Sequence, residues 1–159
     1  MRRSIILAVA AFALGATVAA AQPKKDIGYD PRANTFEQLD AAVAKAATED
    51  KLLLLISGGD WCSWCHYLAA FLERETALDA ALHDVFVVQK VYVGDENMNN
   101  EFFAGLPKAA GAPHFWILSA KGEILASQDT LPLEDGDKSY DRAKFSAFIE
   151  RWRNQRAAQ

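Results

Sequence analysis

The stretch Leu52–Tyr67 has the sequence LLLLISGGDWCSWCHY and contains both cysteines of the 159-residue chain. Its first part, Leu52–Ser57, is apolar without alternation, which is typical of a central β-strand covered on both faces. Gly58-Gly59 ends this run, and a helical pattern begins at Cys62. The stretch therefore predicts a strand that delivers a Cys-x-x-Cys pair to the start of a helix.

The beginning of the chain has the pattern of a cleaved signal peptide. Arg2 and Arg3 form a charged start, Ile5–Val18 is apolar, and Ala19–Ala21 matches a small-residue cleavage site. The apolar part is shorter than the roughly 20 residues that a membrane-spanning helix needs, so we expect cleavage rather than a retained anchor. The mature chain would begin at Gln22 and be periplasmic or otherwise exported.

The charge balance excludes several kinds of partner. The chain has 17 Lys and Arg residues against 21 Asp and Glu residues, a formal net charge of −4, and no basic cluster. We therefore expect neither nucleic acid nor, after signal cleavage, a membrane as partner, and we expect a monomer. An exported chain keeps its cysteines where disulfides persist, and a domain of this size folds without a covalent staple. We interpret the cysteine pair as a reactive site rather than as a structural disulfide.

The remaining chain alternates helical and strand patterns. We predict a signal peptide over 1–21, an irregular arm over 22–33 and one folded domain over 34–159. Within the domain, helices are predicted over 35–48, from 62 onward, over 77–82, 101–106 and 142–156, and strands over 52–57, 86–93, 114–119 and 123–127. Because strand–helix–strand crossovers are right-handed, the first two strands should be parallel, and the last two form a hairpin.

The first and last helices show the sequence signals of amphipathic helices. Asn34 is a candidate N-cap, with Glu37 placed as its capping-box partner. Apolar residues recur at helical spacing and should face the core: in the first helix Phe36, Leu39, Ala42, Val43 and Ala46, in the last Phe145, Phe148, Ile149 and Trp152. The loop over 129–141 carries five acidic residues, and we interpret it as solvated rather than as a calcium site, with a contribution to partner choice.

The order of elements, with Trp-Cys-x-x-Cys after the first strand and Pro113 just before the hairpin, resembles the thioredoxin fold. The resemblance covers about 35–153 and implies an α/β fold, a central mixed four-stranded sheet flanked by helices. The hexapeptide from Asp60 to Cys65 is most similar to exported thioredoxin-like thiol-disulfide oxidoreductases, including the periplasmic thioredoxin-like domain of the transmembrane disulfide reductase.

The position of the cysteines predicts their roles. Unpaired amides and the macrodipole at a helix N-terminus favour an anion, so Cys62 should titrate below the roughly 8.5 of a free thiol and act as an accessible nucleophile. Cys65 lies one turn further in, should be more buried and less ionised, and is expected to resolve the mixed disulfide.

The resemblance implies supporting roles for neighbouring residues. Pro113 is expected to be cis, with the backbone of Ala112 pairing with an incoming substrate strand. Trp61 would shield the site or belong to the core, whereas Trp64 is a candidate exposed contact for a partner. Ser63 and Trp64, the dipeptide between the cysteines, would tune the reduction potential and leave the direction of electron flow open.

Two departures from the family pattern concern proton transfer. The strand position at which thioredoxins usually carry a buried acid is Ile56 in this chain. Lys90, on the next strand, would act directly on the thiolate or extend its ammonium to the sheet edge. His66 would take over the proton-handling role or form only a surface hydrogen bond.

We expect a thiol-disulfide oxidoreductase, a reductase or isomerase of periplasmic protein disulfides, that works without a cofactor or metal. Its partners would be protein or small-molecule disulfides and a redox partner protein. An alternative is a c-type haem protein, because Cys62–His66 also satisfies Cys-x-x-Cys-His, with Met98, His83 or His114 as the distal ligand. Such a cytochrome would be mostly helical and lack a sheet. A non-catalytic binding module is a further alternative.

Overall fold

The computed structural model describes residues 25–157, so the predicted signal peptide lies outside the described residues. The helices are α1 (Thr35–Glu49), α2 (Ser63–Arg74), α3 (Thr76–Val85), α4 (Asn100–Ala104) and α5 (Arg142–Arg156), with a short 3-10 helix over Leu131–Leu133. The strands are β1 (Leu52–Gly58), β2 (Phe86–Tyr92), β3 (His114–Leu118) and β4 (Ile124–Asp129). None of the helices within 25–157 is long and apolar enough to cross a membrane.

The four strands form one mixed sheet in the order β2-β1-β3-β4. β1 runs parallel to β2, with Leu52 opposite Phe86 and Gly58 opposite Tyr92. β3 is antiparallel to both β1 and β4. The parallel pair and the hairpin predicted from the sequence are thus confirmed, and so is the mixed four-stranded sheet of the thioredoxin fold.

β1 is covered on both faces, as its continuous apolar sequence predicts. Leu52, Leu54 and Ile56 pack into one core cluster with side chains of α2, α3 and α5. Leu53 and Leu55 point the other way, into a second cluster that includes residues of α1 and α4. Burying each such side chain contributes about 1.5–3 kcal/mol, so this strand is firmly fixed and presents its C-terminal end as a rigid platform.

The long helices begin and end close to their predicted bounds. Asn34 caps α1 by accepting hydrogen bonds from the amides of Phe36 and Glu37, and its own amide group donates to the Glu37 carboxylate. The inward placement predicted for Phe36 is wrong, because this ring is 48% exposed. It lies in the first turn of α1, with an edge-on contact to the ring of Phe102 at a centroid distance of 5.5 Å.

Two irregular segments are buried more deeply than their composition suggests. Residues 25–33 form no helix or strand, yet Ile27 and Tyr29 lie in the core. The acidic loop over 129–141 is folded against α2 and α5 rather than fully solvated, with Thr130, Leu133 and Tyr140 buried. The polar composition of a segment does not reveal such buried residues, because one or two side chains are enough to fix an otherwise polar segment to the domain.

Candidate active site

The two cysteines lie where β1 passes into α2, and they form a disulfide bond. Their Cα atoms are 5.2 Å apart, within the range that a disulfide spans. Cys62 is the N-cap of α2 and has extended backbone geometry, and Cys65 is in the first turn of the helix. The predicted delivery of both sulfurs to a helix N-terminus is confirmed.

The Cys62 sulfur has two polar neighbours with opposite effects on the ionisation of its thiol. It accepts a hydrogen bond of 3.1 Å from the backbone amide of Cys65, and this bond would strengthen if the sulfur carried a negative charge. It also lies 3.4 Å from the carbonyl oxygen of Ala112. A disulfide sulfur has no hydrogen to donate there, but a reduced thiol would have one. The helix end therefore favours the thiolate, and the Ala112 carbonyl favours the protonated thiol.

Both cysteine residues are buried, Cys62 with 4% and Cys65 with 2% of its surface exposed. Cys62 is the more exposed of the two, as predicted, but the difference in exposed fraction is small. Cys62 is therefore less accessible than a free nucleophile would be. Ala112, in the loop that precedes β3, lies against the Cys62 sulfur. This loop therefore limits the access of a substrate disulfide.

The peptide bond between Ala112 and Pro113 is cis, as the resemblance implies. Pro113 is buried, and its carbonyl oxygen accepts a hydrogen bond of 3.1 Å from the Thr130 hydroxyl. The 3.4 Å contact between Cys62 and Ala112 places this bond directly across from the disulfide. The acidic loop thereby holds the proline loop in position, a contribution that the sequence pattern did not predict.

Gly58 and Gly59 permit the close packing around the sulfurs. A Cβ atom on Gly58 would lie 2.5 Å from the Cys65 sulfur and 2.8 Å from the Tyr29 hydroxyl oxygen. A Cβ atom on Gly59 would lie 2.5 Å from the indole nitrogen of Trp61. Any larger residue at either position must displace these neighbours, which explains why the strand ends in two glycines.

The exposures of the two tryptophans differ from the core role considered for Trp61 and from the exposed position predicted for Trp64. Trp61 is 51% exposed, so a core role for it is wrong, and its indole N–H donates to the carbonyl of Val93 at 2.7 Å. Trp64 is half-buried rather than exposed, with edge-on contacts to Tyr67 and Tyr140. Ser63, the other residue between the cysteines, is exposed. The turn of α2 directs Trp64 toward the core side of the helix.

Lys90 and His66 have partners other than the sulfurs. The Lys90 ammonium donates to the carbonyl of Ile27 and lies 5.6 Å from the ring centre of Tyr29. Burial lowers the pKa of Lys90, and nearby aspartates, Asp26 foremost, oppose that shift. The Nε2 atom of His66 is 2.8 Å from the carbonyl of Asp60, so it carries the proton. The proton-handling roles considered for both residues stay predictions.

A groove of about 930 Å³ is lined at one end by Trp61, which precedes Cys62, and by Ala112, which contacts the Cys62 sulfur, but by neither cysteine itself. Ser57 and Trp116 of the sheet also line it. Phe103, Leu106 and Pro107 supply apolar wall, and Asp95, Glu96 and Lys108 supply charges. A cleft of this size and composition can take up side chains of a peptide or a small organic molecule next to the sulfurs.

Tyr29, Thr130 and Tyr140 are site residues that the sequence patterns missed. Tyr29, from the N-terminal arm, lies beside Gly58 as the Cys65 sulfur does, and the other two belong to the acidic loop. All three come from segments without regular apolar periodicity. Their aromatic or hydroxyl side chains within otherwise polar stretches were the only signal available.

The fold and the disulfide together define a thioredoxin-fold redox protein with a Cys-x-x-Cys centre. The sheet contradicts the mostly helical fold expected for a c-type cytochrome. A family model described as thioredoxin-like matches residues 34–120, and the chain belongs to this thioredoxin-like family. A search among curated proteins finds no match.

Among solved structures, a disulphide isomerase from Xylella fastidiosa Temecula1 is similar with a TM-score of 0.65 and 25% identity, covering 79% of this chain and 96% of its own. A redox protein from Chlamydomonas reinhardtii has a TM-score of 0.42 and 24% identity, over 58% of this chain and 28% of its own. A thioredoxin-fold protein from Helicobacter pylori has a TM-score of 0.41 and 17% identity, over 69% of this chain and 86% of its own. The first of these comparisons supports redox chemistry at the cysteine pair.

Proposed function

We propose that the chain is an exported thiol-disulfide oxidoreductase that reduces or isomerises protein disulfides through the Cys62–Cys65 couple. The observation that carries this proposal is the disulfide at the N-terminus of α2, in contact with the loop that contains the cis bond before Pro113. The likeness to a solved disulphide isomerase at 25% identity supports the same chemistry. A purely structural disulfide would need neither a helix N-cap nor an adjoining groove.

The proposed reaction has two exchange steps. In the reducing direction, the Cys62 thiolate attacks one sulfur of a substrate disulfide, a mixed disulfide forms, and the other substrate sulfur leaves with the electron pair. The Cys65 thiolate then attacks the Cys62 sulfur, the Cys62–Cys65 bond forms, and the second substrate sulfur leaves as a thiolate. A redox partner returns two electrons by running the same steps in reverse.

The supporting residues are assigned roles that follow from their positions. The Cys65 amide and the α2 N-terminus stabilise the Cys62 thiolate. The backbone of Ala112 would align an extended substrate segment across from the sulfurs. Trp61, exposed at the same end of the groove, would pack on the substrate's apolar side chains.

The groove supports protein substrates over very small ones. Its volume of about 930 Å³ and its apolar wall suit the side chains that flank a cystine in an unfolded or misfolded protein. Small disulfides would react more weakly because they leave the groove empty. We propose a monomer, and the signal pattern at the N-terminus supports export, with the periplasm as the proposed location.

The proposed function is tested with two single-sulfur variants of the mature chain. Cys62→Ser should abolish the reduction of insulin by dithiothreitol that the wild type catalyses. Cys65→Ser should retain the attacking sulfur and accumulate a mixed disulfide with a thiol-reactive peptide substrate, visible by mass spectrometry.

The controls separate this proposal from the alternatives. Trapping by the Cys62→Ser variant instead of Cys65→Ser would reverse the roles of the two sulfurs. A wild type without activity in this assay would leave the binding-module function, and an unchanged rate in Cys62→Ser would refute Cys62 as the attacking sulfur. A haem absorption band in protein purified from the exported fraction would favour the electron-transfer alternative.

A further inference from the structure

The side of the disulfide away from the groove is closed by the N-terminal arm. Tyr29, with 6% of its surface exposed, inserts between the end of β1 and the first turn of α2. Its hydroxyl oxygen and the Cys65 sulfur both border the empty position beside Gly58, at 2.8 and 2.5 Å from where a Cβ atom would be. Both atoms therefore border the space that a side chain at residue 58 would fill.

The arm is fixed in this position by several contacts. The Lys90 ammonium holds the carbonyl of Ile27 and lies over the Tyr29 ring. The Ile27 amide is 3.5 Å from the Asp60 carboxylate, and the carbonyl of Pro31 accepts from the Asn97 amide at 3.0 Å. These contacts hold the arm on both sides of Tyr29, so the position of the hydroxyl is defined by more than its own packing.

We propose that the Tyr29 hydroxyl donates a hydrogen bond to the Cys65 sulfur whenever the Cys62–Cys65 bond is open, and thereby stabilises the Cys65 thiolate. This inference rests on the proposed function. An external thiolate that attacks Cys62 breaks the disulfide and leaves the electron pair on Cys65. The sulfur then changes from a weak acceptor into a charged, strong one, and the Tyr29 hydroxyl borders the same space at Gly58.

The hydroxyl is suited to donation rather than to proton uptake. Burial raises the pKa of Tyr29, and Tyr140 and Asp60 raise it further, so the phenol stays protonated at neutral pH. No other polar group of β1 is available on this face, since Leu54 and Ile56 precede Gly58 there. The titratable side chains around Tyr29 and its partner Lys90 are Asp26, Asp60, His66, Asp79 and Tyr140. All of them are retained when only the hydroxyl is removed.

The test compares variants in which Cys65 is the only thiol. In a Cys62→Ala background, the pKa of Cys65 is measured by the ultraviolet absorbance of the thiolate, with and without Tyr29→Phe. Loss of a hydrogen bond to a charged group changes the ionisation equilibrium about tenfold or more, so the pKa should rise by about one unit or more. The matched control is Tyr92→Phe, since Tyr92 is also buried beside the site but places its hydroxyl next to Gly94. It should leave the pKa of Cys65 unchanged.

Equal pKa values with and without Tyr29→Phe would overturn the inference, and so would an equal rise in the Tyr92→Phe control. If Tyr29→Phe does not fold, 3-fluorotyrosine incorporated into the Cys62→Ala protein makes the phenol a stronger donor and should lower the pKa of Cys65; no change would again overturn it. The insulin assay of the unmodified cysteine pair is independent of this result. A wild type that fails that assay refutes the proposed function, whereas an active wild type with an unchanged Cys65 pKa refutes only the role of Tyr29.

Discussion

The two sides of the disulfide differ in construction and in origin along the chain. On one side lies the open groove, with Trp61 half exposed and residues drawn from 57–116. On the other lies a closed side, formed by Tyr29, Trp64 and Tyr140 around α2. The groove lies entirely within the part that matches the family model, while Tyr29 and Tyr140 lie outside 34–120. We infer that the open side receives the substrate and that the closed side sets the chemistry of Cys65.

The largest expected difference between the two sides is in stability. Tyr140 is 3% exposed and contacts Trp64, Phe71 and Phe145, so Tyr140→Ala should lower the free energy of unfolding by about 3 kcal/mol or more. Trp61→Ala, on the open side, should cost less than about 1 kcal/mol. Urea denaturation of both variants measures the difference, and equal losses would contradict the division into an open and a closed side.

A smaller effect is expected from added methyl groups. Gly58→Ala would place a carbon between the Cys65 sulfur and the Tyr29 hydroxyl, and overpacking of this kind costs about 1–3 kcal/mol. Gly111→Ala is the matched control, because a Cβ atom there has no neighbour within 4 Å. Thermal unfolding of the oxidised proteins should show a lower midpoint for Gly58→Ala alone. A similar midpoint for both variants would show that the closed side has room to relax.

The main elements were predictable because their signals are local or periodic. The continuous apolar run of β1 indicated burial on both faces, and the cap of α1 and the apolar spacing of α1 and α5 gave the bounds of these helices to within about one or two residues. The exposures of Phe36 and Trp64 could not be predicted in this way. Helical spacing does not specify how far a helix extends past the elements it packs on, or in which direction a side chain at its end points. Tyr29 and Thr130 act through contacts with residues distant in sequence. A single amino-acid sequence has no local pattern that reveals such contacts.

The stability of the fold should depend on pH through His114, which lies in the sheet below the groove. His114 is paired in register with Ser57, which lines the groove, and it bonds the Ser127 hydroxyl at 2.8 Å. Burial lowers the pKa of His114 from its ordinary value of 6.5. Below that pH the unfolded chain binds a proton that the folded chain does not, so stability falls as the pH drops from 6.5 toward the lowered folded pKa.

The loss from this one group has a slope of at most about 1.4 kcal/mol per pH unit. His114→Gln keeps a group able to bond Ser127 and should flatten the curve of unfolding free energy against pH below 6.5. Urea denaturation at several pH values measures the slope. An identical slope in the variant would assign the acid sensitivity to other residues.

The smallest expected effect concerns a single atom on the closed side. The Tyr140 hydroxyl is buried near the Thr130 hydroxyl but makes no hydrogen bond of normal geometry to the described residues. Removing an unpaired buried hydroxyl relieves its desolvation cost, so Tyr140→Phe should be neutral or stabilise the protein by up to about 1 kcal/mol. A clear loss of stability by urea denaturation would show that this hydroxyl is hydrogen-bonded in solution.

The most direct test of the central claim is a glutathione redox titration of the Cys62–Cys65 couple, followed by tryptophan fluorescence. We expect a two-electron transition with a potential between those of thioredoxin, about −270 mV, and of strong oxidants, about −120 mV. A value near the first would assign a reductase, and a higher value an isomerase or oxidase. A potential below about −300 mV, where structural disulfides resist the glutathione pool, would contradict a redox-active site.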